Sequence, residues 1–115
     1  MATGKITKDP KPIYFTSTRG SQLTSGACYG YYHPDNNSVS LYASFVSDSN
    51  IATTSTLYTI PSQYRPAGTV YGVCMMMDTS GGCSVGDFTL NANGELKQSA
   101  SNSRRLGIGV MEYTI

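Results

Sequence analysis

The ten residues from Ser38 to Ser47 constrain this chain more than any other segment. Val39, Leu41, Ala43 and Phe45 alternate there with Ser38, Ser40, Tyr42 and Ser44. A period of two sends one set to each side of an extended backbone, which makes a β-strand with one face on a core. No other stretch offers a rival pattern, because no window has apolar positions at helical spacing with capping residues at its ends. Strand-like runs recur instead, separated by turn chemistry. Ile13–Thr16 reads as a short strand behind Pro10 and Pro12, and a polar, glycine-containing stretch follows from Ser17 to Ala27. Cys28–Tyr32 is tyrosine-rich and runs into His33-Pro34-Asp35-Asn36-Asn37, a turn by composition.

Beyond Asp48-Ser49-Asn50 the pattern continues. Thr54–Ile60 is a β-rich run stopped by Pro61, and Val70–Met77 follows Gly68-Thr69 with apolar groups on both faces. A strand apolar on both sides belongs in a sandwich interior or at a subunit contact. Met75-Met76-Met77 fits the same two settings, since methionine fills irregular gaps and adapts to partners. Asp78–Gly82 is a turn into a strand over Cys83–Leu90, and Asn93-Gly94 marks a hairpin into Glu95-Leu96-Lys97. After a polar loop at Ser99–Ser103, Leu106–Val110 alternates cleanly and Met111–Ile115 follows. The apolar phase slips between Val110 and Met111, which predicts a bulge or burial on both sides. Seven or eight short strands with turns every eight to twelve residues predict a compact antiparallel Greek-key β-barrel or sandwich. The 115 residues read as one domain, without linker or internal repeat.

Composition narrows the function classes. Leu, Ile, Val and Phe make only 21 of 115 residues, short of the roughly 20% expected of a robust core. With a net charge of +1 the chain is not of the disordered type. Two readings fit, a β fold with a small core or a protomer that completes its core against copies of itself, and both together are expected. Lys and Arg are scattered apart from Arg104-Arg105, so nucleic acid is not the expected partner. No apolar run reaches bilayer length, and Met1–Lys8 has no apolar segment behind its lysines, so neither membrane insertion nor a secretory leader is expected. Cys28, Cys74 and Cys83 are odd in number and fit plain thiols in a reducing cytosol, although Cys74 and Cys83 could face each other across a hairpin.

One segment carries a resemblance. Leu57-Tyr58-Thr59-Ile60-Pro61-Ser62-Gln63-Tyr64-Arg65-Pro66 is similar to the strand-and-bend of receptor-binding heads in phage tail-tip and baseplate proteins of Gram-positive hosts. The Gly68–Val73 strand, the Leu90–Leu96 hairpin and the Ile108–Ile115 strand resemble the same family in the same order, covering about half the chain. The resemblance implies a compact antiparallel head, homotrimeric, on the tail tip of a virion and made in the bacterial host cytoplasm. It would contact other tail or baseplate proteins and bind host cell-wall saccharide without chemistry or cofactor. Physically, Pro61 and Pro66 stop the ladder on both sides of Tyr64-Arg65, which can bridge an apolar surface and a nearby carbonyl or carboxylate. Arg65 is carried as a ligand candidate beside that structural role.

The remaining candidates are Tyr31, Tyr32, His33, Asp35 and Asn37, with Tyr29 and Asn36 between and beside them. Sugars need an aromatic face for their C–H side and short amide, carboxylate or imidazole groups for adjacent hydroxyls. This segment supplies all of these, although tyrosine is also ordinary strand filling and Asp-Asn-Asn an ordinary turn. His33 is the only histidine and has no second ligand at metal spacing save Cys28, so no metal site is read. Cys28 with His33 as nucleophile and base, or a hydrolase using Asp35 and His33, is the enzyme reading. It lacks an orienting group. Asp78 and Asp87 fit a turn rather than a calcium loop. The alternative to a saccharide-binding head is a structural virion protein, a decoration or baseplate-assembly domain without ligand. Burial of Tyr29–Asn37 would favour it, and an open cleft there would favour binding.

Overall fold

The computed structural model describes residues 11–77, 81–98 and 106–115. The Met1–Lys8 segment, Asp78–Ser80 of the predicted turn, the Ser99–Ser103 loop and Arg104-Arg105 lie outside the described residues.

Among the described residues, ten strands form one antiparallel sheet: β1 (Ile13–Thr16), β2 (Thr18–Arg19), β3 (Leu23–Ser25), β4 (Cys28–His33), β5 (Ser38–Ser47), β6 (Tyr58–Thr59), β7 (Val70–Met77), β8 (Cys83–Leu90), β9 (Glu95–Gln98) and β10 (Leu106–Thr114). Their order is β1-β4-β5-β10-β7-β8-β9-β6-β2, with β3 on the far part of β5. β7, β8 and β9 are a meander, and β10 returns beside β7, which is the Greek-key order. β1 and β2 stand at opposite ends of this order, yet only Ser17 separates them. The Ser17 amide still bonds to the Cys28 carbonyl at 3.0 Å, and Thr18-Arg19 then pairs with Thr59-Tyr58. One bend thereby joins both ends of the sheet into a nearly closed barrel.

The alternation over Ser38–Ser47 sets the core. Val39, Leu41, Ala43 and Phe45 are buried on its inner side, facing Phe88, Leu90 and Leu96 from the meander. Apart from Ala43, each such side chain contributes about 1.5–3 kcal/mol on leaving water. The strand count exceeds the expected seven or eight because the polar stretch from Ser17 to Ala27 holds β2 and β3, two- and three-residue pieces too short to show periodicity. Thr54–Ile60 departs in the other direction, since only Tyr58-Thr59 is strand. A turn closed by the Ser55 amide on the Ala52 carbonyl (3.1 Å) lets Ile51 and Leu57 bury on either side of it.

β10 corrects the sequence reading most. It pairs without a break from Leu106↔Val46 to Thr114↔Ser38, so there is no bulge between Val110 and Met111. Its inward positions are Gly107, Gly109, Met111 and Tyr113, and its outward ones begin Leu106, Ile108, Val110. The phase slip therefore marks a strand whose glycines face the core. Phe45 lies over Gly107 and Phe88 over Gly109, so closely that a Cβ at either would strike the ring. The aromatic rings fill the space that side chains on β10 would have taken. The same inversion separates the cysteines. Cys74 is buried opposite Gly86, whereas Cys83 is exposed opposite Met77, so the two do not face each other.

The bend after β6 is a 3-10 turn over Ser62–Tyr64, with the Tyr64 amide on the Pro61 carbonyl at 3.0 Å. Tyr64 stacks on Phe15 with centroids 4.2 Å apart, and its carbonyl accepts from the Tyr113 hydroxyl at 2.6 Å. Arg65 Nε donates to the Ile60 carbonyl at 2.8 Å, over the Gly94 hairpin whose φ of 88° suits glycine. The bend thus clamps β1, β9 and β10 together.

Candidate functional site

β4 has Cys28 and Gly30 inward, which turns Tyr29, Tyr31 and His33 outward. Register then builds a surface from strands distant in sequence. Tyr14 of β1 lies opposite Tyr31, and Tyr42 of β5 lies opposite Tyr29. The rings form a connected row: Tyr14 to Tyr31 at 5.5 Å, Tyr14 to Tyr29 at 6.0 Å, and Tyr29 stacked on Tyr42 at 5.3 Å. Tyr29 meets Tyr31 edge-on at 89°, a favoured aromatic geometry. Tyr14, Tyr31 and Tyr42 are exposed, so the row is open to solvent.

A polar line continues the row. Tyr31 pairs with Ser40 of β5, and Ser40 pairs with Glu112 of β10. The Ser40 hydroxyl donates to Glu112 Oε1 at 3.2 Å, and His33 Nε2 stands 3.1 Å from the same hydroxyl. With the serine in the middle, the carboxylate orients a hydroxyl and not the imidazole, unlike the relay that activates a nucleophile. Next to this line a groove of about 360 Å³ opens between Tyr42, Tyr71, Val73, Val110 and Glu112. It lies where the β10–β7 ladder ends at Val110↔Val73.

The segment from Tyr29 to Asn37 is therefore divided by strand parity. Tyr31 and His33 join the tyrosine row. Tyr32 turns the other way, its ring 5.6 Å from Tyr64 and its hydroxyl donating to Asn37 Oδ1 at 2.6 Å. The Asn37 amide donates to the Ile115 carbonyl at 2.9 Å, and its backbone, at a φ of 56°, holds the left-handed position of the turn. Tyr32 and Asn37 thus spend their polar groups tying the turn to the end of β10. Asp35 is exposed at the tip of that turn. Arg65 stands apart from the row, bonded to Ile60. As for the thiol, Cys28 points into the core, and burial pushes it up to about 12, which keeps it protonated near neutral pH.

The sequence reading missed Tyr14, Tyr42, Ser40 and Glu112 as parts of one surface. Tyr42 and Ser40 could have been found, because they share the polar side of the β5 alternation. Glu112 could not. Nothing local relates residue 112 to residue 40, and only the long-range β5–β10 register brings them together. Among the described residues no group of three or more His, Cys, Asp and Glu stands close enough to hold a metal. No protein-family model matches the chain, and no curated protein matches its sequence.

Proposed function

We propose that this chain is the receptor-binding head of a phage tail, acting without chemistry and recognising host cell-surface saccharide through many weak contacts at once. The observation that carries the reading is the exposed row of Tyr14, Tyr31 and Tyr42 running into Ser40 and Glu112. Aromatic faces suit the C–H side of a pyranose, and a carboxylate beside a hydroxyl and an imidazole suits neighbouring sugar hydroxyls as donor and acceptor. A shallow site of this kind gives roughly −4 to −8 kcal/mol, millimolar to micromolar. Homotrimeric heads in many copies on a virion would convert this into firm attachment through effective concentration. His33 and Tyr31 are the ligand residues retained from the turn segment, joined by Tyr42 and Glu112.

Calorimetric titration of the purified chain with fractionated Gram-positive cell-wall saccharides tests this. One fraction binds, and Tyr31→Ala and Glu112→Gln each weaken that binding about fivefold or more while the folded spectrum stays the same. If no fraction binds a folded, correctly assembled protein, the structural virion reading replaces this one. The large apolar area on the outer side of β10, β7 and β8 favours that second reading, because an assembly protein needs a dry contact and no ligand.

A further inference from the structure

The outer side of the sheet changes character at β10. Ile108 lies between Ser44 and Met75, and Met75 lies opposite Val85, so an aliphatic row crosses β10, β7 and β8. Val110 opposite Val73 forms a second row, and Leu106 opposite Met77 a third. These side chains are open to solvent, with Val85 at 72% and Ile108 at 63% exposure, and Tyr71 flanks them. A groove of about 260 Å³ runs between Met75, Met77, Leu106 and Ile108. Antiparallel sheets ordinarily carry polar residues on a solvated face, and charges where pairing is to be avoided. Among the described residues the carboxylates nearest these rows, Asp87 and Glu112, sit at their ends.

We propose that this face seats a second copy of this chain. Area is the first argument. The seven aliphatic and methionine side chains of the three rows lie on three neighbouring strands, and they and the flanking Tyr71 and Tyr42 are each at least 37% exposed. Such a contiguous apolar face is of the kind that marks an interface of about 800 Å² per partner, and not the singly scattered apolar residues of a monomer. Composition is the second. Of the 21 Leu, Ile, Val and Phe residues, Val73, Val85, Leu106, Ile108 and Val110 all stand outside, while Gly107 and Gly109 occupy inner positions of β10. A chain poor in aliphatics that sets five of them on one face has placed part of its core between molecules. A copy of itself is the occupant that offers the same area and the same absence of charge. An anionic lipid surface would face two carboxylates at the rim instead of a basic one. The methionines suit a packed contact, since they adapt to whatever the opposing copy presents.

The 360 Å³ groove has Val73 and Val110 as one wall, so the seam between copies runs along the saccharide surface proposed above. The contact itself does not depend on that reading, because assembly is scored without ligand. The experiment is sedimentation equilibrium of the full chain at concentrations from about 1 to 200 µM, with circular dichroism alongside. Wild type shows a mass of two or three times 12.3 kDa. Ile108→Lys and Val85→Lys each raise the dissociation constant of the assembly at least tenfold with an unchanged β spectrum, and Asp35→Lys, away from the face, does not. A wild-type mass of 12.3 kDa throughout overturns the proposal, as does an assembly that neither lysine variant weakens. Should both variants fail to fold, peroxide oxidation of wild-type Met75 and Met77 decides. Protection that grows with protein concentration supports the contact, and a concentration-independent rate overturns it.

Discussion

The outer surface of one sheet carries two chemistries. Over β1, β4 and β5 it presents a row of tyrosines, bordered by Ser40, His33 and Glu112. Over β10, β7 and β8 it presents isoleucine, valine and methionine, with no hydrogen-bonding side chain in the central row from Ile108 through Met75 to Val85. Both areas are exposed, so burial does not distinguish them. The kind of atom at the surface does. A wet, amphipathic area can exchange water for sugar hydroxyls reversibly, whereas a dry one gains only by excluding water, which another dry face does best. The teaching is that exposure on a lone chain has two meanings, and side-chain polarity separates them.

The widest contrast is between neighbours on β10. Gly107→Val places a methyl-bearing carbon in the Phe45 ring and costs about 3 kcal/mol, while Phe45→Ala opens a cavity and costs about 3–5 kcal/mol, both read by urea unfolding. Ile108→Thr, one residue along and facing out, leaves the unfolding of a dilute, dissociated protomer within about 0.5 kcal/mol of wild type. A large loss there would mean that the outer rows already pack within one chain.

Alkali tests the inner face. Burial pushes the Cys28 thiol and the Tyr58 hydroxyl up to about 12, and the Cys74 thiol up to about 11. The unfolded chain releases these protons near 9 for the thiols and 10 for the phenol, so it alone becomes charged there. Stability from these groups is complete below pH 9, falls as pH rises beyond it, and is gone above about 12. Circular dichroism against pH follows this directly. Cys28→Ala flattens the first part of the decline if the thiol is as dry as its position implies.

The two outer areas should then part cleanly. Under the proposed function, Tyr42→Ala lowers saccharide affinity about fivefold, roughly 1 kcal/mol, by removing one stacking face. Because Tyr42 borders both areas, a matching loss of assembly would show that the seam reaches it, and Tyr14→Ala, remote from β10, supplies the purely wet control. Asp35→Ala at the turn tip is the smallest change. It shifts stability by less than about 0.5 kcal/mol, and sugar binding moves only if the ligand extends from the row to the turn.

Much of the fold was legible where periodicity was unambiguous. Ser38–Ser47, Cys83–Leu90 and the Asn93-Gly94 hairpin are all present as read. Pro61 and Pro66 marked a corner that the Tyr64 and Arg65 contacts bear out. On β10 the phase slip was read as a bulge or burial on both sides, because a glycine carries no hydropathy to show that Gly107 and Gly109 face inward. The site was half legible. Tyr31 and His33 belong to the exposed row, but Tyr32 and Asn37, adjacent in sequence, are taken up in fastening the turn. Neighbours on a strand face opposite ways, so a dense local cluster is divided as soon as it becomes extended.

β10 fills the centre of the sheet, with β5 on one side and β7 on the other. As the chain leaves the ribosome, β5 emerges with its apolar side ready and its neighbour still some sixty codons away. Neither half of the barrel can seal until residues 106–114 arrive, so the domain closes only once β10 has been made. Its long-range pairing makes that step slow. Until it happens, the nascent chain shows both an open strand edge and aliphatic side chains, the species that chaperones hold and crowded cells aggregate.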